Sequence, residues 1–512
     1  MQTPILGSAY VARSVNAADN RMVNLFPEIV PEGGQMPAFL NRAPGLQFQQ
    51  TIGTGPIRGL WPRPGSNSGF YVVSGSNVYL LTSLTATPTL LGTVAAGTTP
   101  VSITDNGDQV VFVTNPDAYV YTESTSTFAQ VTDPDFPGAV TVGYIDGYFV
   151  FNEPNSQKIW VTSLLDGTQI DPLDFASAEG APDGVVGIIV DHREVWVFGT
   201  NSTEVWYDAG AADFPLARIQ GAYNEIGCVA PFSIAKLDNS VFWLGRDARG
   251  QGIVYRAGGY VGQRISTHAI EWQIQQYSDM SDAVAYTYQQ DGHAFYVLNF
   301  PTGGTTWVFD AATGAWHERA YFDNGDFSRH RGNNQCSVNG YTIIGDYQNG
   351  NIYTFDLDVY ADNGTPQKWL RSWRALPTGT NNLRRTAHHS LQLNCEVGVG
   401  LNGLAPGDIP PQPAYTLDVN FIFQQYAAPG TLPTVQGADP QAMLRWSDDG
   451  GHTWSNEHWT SIGRLGQYGR RAIWRRLGMT LKLRDRVYEV SGTDPVKLSI
   501  INAELLLSGT NG

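Results

Sequence analysis

Residues 186–210 read VGIIVDHREVWVFGTNSTEVWYDAG, and this stretch decides the fold. Glu194-Val195-Trp196-Val197-Phe198 is a short run of β-branched and aromatic residues, which suits a strand whose side chains alternate between two faces. A turn separates it from a second apolar run on each side. The same unit recurs outward in both directions. Upstream copies start at Arg58, Val101 and Val142; downstream copies start at Pro231, Ala283 and Asn339. The spacing is about 45 residues, between the values for WD40 and kelch repeats. Within each copy a pair such as Asp146-Gly147 or Asp291-Gly292 supplies the positive φ that tight hairpins require.

A lone sheet of three or four strands cannot bury its apolar faces. Several sheets set radially can, and each then keeps only short, protected edges. The expectation is an all-β chain with a β-propeller over residues 51–360. Unrelated hairpins packed as sandwiches are the competing arrangement. The blade number is six or seven, because the short copy at Asn339 could merely complete the first blade. Residues 1–50 have little periodicity and contain Pro27, Pro31, Pro37 and Pro44, so they are expected to form an extended arm. Residues 361–512 read as a separate C-terminal β domain, sandwich-like, with strands at Leu391–Val397, Asp418–Phe423, Met479–Leu483 and Val496–Leu507. The Pro- and Gly-rich tract from Ala405 to Gln441 reads as a long loop.

Composition agrees. Apolar residues make up 42%, aromatics 12%, and there are 56 Gly and 29 Pro, which suits many short strands and tight turns. Residues 1–364 carry 16 basic and 36 acidic side chains, a net of −20; residues 365–512 carry 15 and 11, a net of +4. So acidic a body is ill suited to gripping phosphates. Cys228, Cys336 and Cys395 are scattered, which argues for buried thiols rather than a disulfide framework. No secretory leader is expected from Met1 to Ser14, and no apolar run reaches membrane-spanning length. Synthesis in the cytoplasm, without membrane insertion, is expected.

The sharpest local motif is an Asp-box, S-x-D-x-G-x-T-W, formed by Ser447, Asp449, Gly451, Thr453 and Trp454. Its chemistry is that of a hairpin turn: Asp449 accepts backbone hydrogen bonds, Gly451 takes a restricted conformation, and Trp454 packs over the turn. Arg470, Arg471, Arg475 and Arg476 form the one dense basic run, a candidate contact for a neighbouring subunit or for DNA, with a solvated strand face as the bland alternative. Nucleophile-elbow, phosphate-loop and zinc-helix motifs are missing, so no catalytic residue is assigned. Asp356, Asp358, Asp362 and Gly364 weakly suggest a calcium loop, against which Tyr360 stands where an oxygen ligand belongs. His388-His389 has no third ligand nearby in sequence. Neither metal nor cofactor is expected.

The chain resembles the packaged-DNA stabilisation proteins that form the tail hub, or nozzle, of short-tailed bacteriophages. The likeness rests on Gly7-Ser8-Ala9-Tyr10, Asn24-Leu25-Phe26-Pro27-Glu28 and Pro44-Gly45-Leu46; on Asp183-Gly184-Val185-Val186-Gly187 with the blade that follows; and on Asp448-Asp449-Gly450-Gly451 with Arg470 to Gly478 and Val496-Lys497-Leu498-Ser499. The resemblance implies a structural virion protein. Six copies would ring below the portal and adaptor, retain packaged DNA and form its exit channel without sequence-specific contact, with fibres or spikes attached outside. It carries no catalytic residues over. The alternative is a carbohydrate-binding or glycan-cleaving tail propeller, in which Trp307 and Trp316 could stack on sugar; a scaffold propeller for other partners is a third reading.

Overall fold

The structure, a computed structural model, describes all residues except 15–17, 212–213, 248–249, 376–384, 406–414, 418–422, 426–434, 481–485 and 510–512. It falls into two compact units, Leu46–Asp356 and Met1–Gly45 with Leu357–Gly512. Strands dominate both. Among the described residues the one α-helix is His268–Ile274.

Leu46–Asp356 is a β-propeller with seven blades among the described residues. The first blade is built from Ile57–Pro62, Phe70–Ser74, Asn77–Leu81 and Thr89–Thr93, each antiparallel to the next. Blades two to six occupy residues 102–130, 142–177, 185–224, 227–264 and 284–318. The hairpin pairs Asp146-Gly147, Asp291-Gly292 and Asn339-Gly340 all have positive φ at both residues, so the turns twist with the strands they join. The copy at Asn339 does not complete the first blade. Gly332–Val338, Tyr341–Asp346 and Asn351–Asp356 make a seventh blade, and Gly45–Thr51 is its fourth strand.

Burial explains why the middle strands are continuously apolar. In Glu194–Gly199, Val195 and Val197 join the core shared with the third blade, whereas Trp196 and Phe198 join the core shared with the fifth. In Gln109–Val113, Val110 and Phe112 face the first blade while Val111 and Val113 face the third. Each blade is thus covered on both faces, as strands buried in α/β sheets are. Burial of each large side chain in these seams contributes roughly 1.5–3 kcal/mol. The seventh blade meets the first through Ile343, Ile352 and Cys336 against Ile57, Leu60 and Phe70.

The second unit is a sandwich of two antiparallel sheets. One runs Ala472–Met479, Thr386–Cys395, Ser499–Gly509, Ala38–Arg42, Leu25–Ile29; the other runs Met22–Val23, Trp369–Arg374, Val487–Gly492, Gln441–Ser447, His458–Ser461. Their facing sides bury Leu391, Leu393, Ala503 and Leu505 on the first sheet, and Trp373, Tyr488 and Val490 on the second. Residues 1–45, expected within an extended arm, are woven into this unit. Gln2 and Thr3 pair with Glu504 and Ala503, and Trp373 Nε1 donates to Thr3 Oγ1 at 2.9 Å. Arg42 is buried and donates to the carbonyls of Asp494, Val496 and Gln367 at 2.6–2.8 Å. Of the expected strands, residues 418–422 of Asp418–Phe423 and 481–483 of Met479–Leu483 lie outside the described residues, as does most of the tract 405–441.

Candidate functional site

The innermost strands of all seven blades line one axial cavity of about 480 Å³. Its wall is mainly apolar, with Leu60, Val101, Ile103, Tyr144, Ile188 and Phe232 among the lining residues. The charged groups at it are mostly engaged. Arg58 is buried and donates to the carbonyls of Thr99, Gly75 and Ala95 at 2.7–2.9 Å, and Asp105 accepts from Trp61 Nε1 at 2.7 Å. A duplex, whose major groove alone is about 12 Å wide, does not fit. The propeller axis therefore holds a cavity too small to be a conduit for double-stranded DNA.

The Asp-box sits between Gln441–Ser447 and His458–Ser461. Ser447 Oγ donates to Asp449 Oδ1 at 2.6 Å and accepts from the Gly451 N–H at 2.8 Å. The Thr453 N–H and hydroxyl both donate to the Asp449 carboxylate, at 2.8 and 2.6 Å. The Ser447 and Thr453 hydrogen bonds hold this carboxyl well below the usual range. Gly451 has φ +105°, and a Cβ there would meet the Asp19 carboxylate at 2.6 Å. Trp454 lies under the Arg445 guanidinium, 4.8 Å from the ring centroid. Ser447, Asp449, Gly451 and Thr453 therefore work within one turn, while Trp454 packs on Arg445 of the preceding strand. Sequence reasoning missed Asp448, the unspecified second position: it pairs bidentately with buried Arg486 at 2.6 and 2.9 Å.

Arg470, Arg471, Arg475 and Arg476 are all exposed, on the strand Ala472–Met479 and the turn before it. Ala472, Trp474 and Leu477 point inward between them. A bulge at Arg476, φ +62°, shifts the register against Thr386–Cys395 and leaves both Arg475 and Arg476 outside. Arg471 donates to Gln392 Oε1 at 2.9 Å and Arg470 to the Ser461 carbonyl at 3.3 Å. None of the four pairs with a carboxylate among the described residues.

The other sequence candidates do not converge. Trp307 and Trp316 are buried, donating to Tyr277 Oη at 3.0 Å and to the Ile265 carbonyl at 2.9 Å, so neither presents a face to sugar. His388 is buried with its two ring nitrogens on Tyr488 Oη and Thr386 Oγ1, whereas His389 points to the other face. Asn363-Gly364 is the positive-φ turn of the hairpin Ala361–Asp362 and Thr365–Pro366, not a calcium loop. Among the described residues no group of three metal-ligating side chains occurs. Burial pushes the Cys228 thiol up to about 11 and Cys395 up to about 12, so neither is a ready nucleophile.

One feature carried no sequence signal. Between the sixth and seventh blades lies a buried polar seam: His293 with Asp310 at 2.8 Å, Arg331 with Asp346 at 2.6 Å, and Tyr353 Oη on Asp346 at 2.6 Å. Arg319 is fully buried, with Tyr288, Phe295 and Phe355 rings 5.3–6.0 Å from its guanidinium carbon. His317 and His330 are buried beside it.

Comparison with known proteins identifies the family. A family model described as the β-propeller of bacteriophage P22 Gp10 matches residues 1–360, and one described as its β-sandwich matches residues 420–507. No curated protein matches the chain. Among solved structures, it is similar to the N-terminal domain of Nup159 at 13% identity and TM-score 0.39, over 64% of this chain and 98% of that one. It is similar to the computationally designed Ika8 protein at 13% and 0.36, over 66% and 99%. It is also similar to the extracellular domain of the two-component system BT4673 from B. thetaiotaomicron at 10% and 0.41, over 70% and 45%. With its propeller and its sandwich both matched, the chain belongs to the bacteriophage P22 Gp10 family of tail hub and stabilisation proteins, structural components of the virion tail.

Proposed function

We propose that the chain is the hub of a short phage tail, six copies ringed below the portal and adaptor, retaining packaged DNA and forming its exit channel, with fibres or spikes held outside. The family match over most of the chain carries this reading. Two physical features support it. The axial cavity of one propeller is too small for a duplex, so a channel must lie between copies, which calls for a ring. The propeller residues 46–356 carry 13 basic and 31 acidic side chains, a net of −18. A wall of like charge has little hold on a polyanion, so DNA slides past it at ejection. The protein acts as structure, with the Asp-box as a turn and no residue in a catalytic role.

Particles assembled without this chain test the proposal. They are expected to package DNA and then lose it, giving capsids that become nuclease-sensitive, and adding purified chain to freshly filled capsids should restore protection. Filled particles that keep their DNA without the chain would refute the retention role.

A further inference from the structure

Two short stretches each hold three exposed large apolar side chains. On the sandwich unit, Trp459, Leu465 and Tyr468 are 60%, 59% and 74% exposed. They fall in one stretch, residues 459–471, which also holds Arg464, Arg470 and Arg471 and no acidic residue. That stretch is folded on itself: the Arg470 N–H donates to the Gln467 carbonyl at 3.1 Å, and the Gly466 N–H to the Gly398 carbonyl at 3.1 Å. On the propeller, Leu164, Leu165 and Leu173 are 60%, 59% and 77% exposed. They fall in residues 162–174, the loop between the third and fourth strands of the third blade. This loop also holds Asp166, Asp171 and Asp174 and no basic residue.

The loop is ordered rather than slack. The Val161 N–H donates to the Asp174 carbonyl at 3.1 Å, the Ser163 N–H to Gln169 at 2.9 Å and the Leu165 N–H to Gly147 at 2.7 Å. The Asp133 carboxylate joins it by accepting from the Ile170 N–H at 3.1 Å. None of these four carboxylates has a cationic partner among the described residues. Asp171 also pushes the Asp174 carboxyl up, after burial, which marks crowding of like charge. Leu165 holds φ +60°, a conformation that leucine seldom takes.

We infer that residues 459–471 of one copy dock on the third-blade loop 162–174 of the next, with Trp459, Leu465 and Tyr468 packing on Leu164, Leu165 and Leu173 and with Arg470 and Arg471 facing Asp171 and Asp174. The inference rests on the ring proposed above and names its contact. Each stretch puts three large apolar side chains in water beside charges of one sign that lack an opposite partner among the described residues, Arg470 and Arg471 on one (Arg464 pairs with Asp439 at 3.6 Å) and Asp166, Asp171 and Asp174 on the other. Aromatic and arginine side chains together are the usual centre of a protein interface. Two different patches meeting head to tail generate a ring when the rotation between copies closes, whereas a two-fold contact stops at a dimer. The occupant is a second copy because the same chain carries both complements.

The test uses tails from virions grown with variant chains. The exposed pair Leu165→Cys with Tyr468→Cys should give a ladder of disulfide-linked multimers on mild oxidation, and each single variant should not. Arg470→Glu with Arg471→Glu should lower the amount of chain in tails about tenfold, as should Asp171→Lys with Asp174→Lys. The chain carrying all four changes should recover most of it. Melting of the purified variants confirms that each is folded. Tails that contain the wild-type chain but show neither a ladder nor recovery overturn this contact and leave the hub standing. Absence of the wild-type chain from tails overturns both.

Discussion

Asp448 and Asp449 are adjacent, yet they hold different things. Asp449 closes the turn with Ser447 and Thr453, which its motif made legible. Asp448 answers Arg486, 38 residues on, whose guanidinium also donates to the Leu477 carbonyl at 2.7 Å and is 1% exposed. A motif records local geometry, and nothing local in sequence announces a partner across the sheet. Asp448→Ala leaves a buried cation without its counter-charge, so a loss of about 3 kcal/mol is expected. In Asp448→Ala with Arg486→Met most of that loss should return, because the orphaned charge is gone. Chemical denaturation of the single and double variants measures both; equal losses in the two would show that the pair does not couple. The same limit hid one hairpin. His192-Arg193 has positive φ at both positions, 48° and 60°, with neither Gly nor Asn to mark it.

At the scale of the blade, the repeat was legible because each seam asks for the same apolar run, and Val195–Phe198 supplies both neighbouring seams at once. The seam between blades six and seven was not, because burial there falls on charged residues scattered from His293 to Asp346. Its histidines set a pH limit. Burial, with Arg319 nearby, holds His317 down to about 3; burial with Arg319, Arg329 and Arg331 holds His330 well below its usual value. Asp310 and His293 also face this group. Both rings stay neutral in the folded chain while the unfolded chain protonates them near pH 6.5. Stability is therefore complete above about pH 6.5 and falls as pH drops below it, by roughly 1.4 kcal/mol per pH unit for each ring. Melting between pH 7 and 5 should show that decline, and His317→Gln with His330→Gln should flatten it. A melting temperature level over this range in the wild-type chain would contradict the assignment.

At the scale of the molecule, the ring closes with a strand from 300 residues away in sequence. Gly45–Thr51 completes the seventh blade beside Asn351–Asp356, with Gln49 Nε2 on Thr354 Oγ1 at 2.9 Å and the Ile52 N–H on the Gly350 carbonyl at 2.7 Å. Read locally, Leu46–Thr51 looked like the end of an irregular arm, because its partner strand is remote and its own run is short. Much of residues 1–45 was hidden for the same reason, since Gln2–Thr3, Met22–Val23 and Ala38–Arg42 pair with strands beyond residue 357. Closure of this kind fastens the first and last blades against opening, so the strand should matter more than its length suggests. A fragment 46–356 is expected to fold, whereas fragment 53–356 leaves the outer edge of Asn351–Asp356 unpaired and uncovers Tyr353, against which Phe48 packs at 6.4 Å. Losing about five backbone hydrogen bonds at about 1 kcal/mol each corresponds to roughly 10 °C of melting temperature for a domain of this size. A synthetic peptide of residues 45–52 should bind the shorter fragment and recover most of that drop, since the missing strand restores the same ladder from outside. If the two fragments melt together, or the peptide changes nothing, the propeller is held shut by its apolar seams alone and the closing strand is incidental.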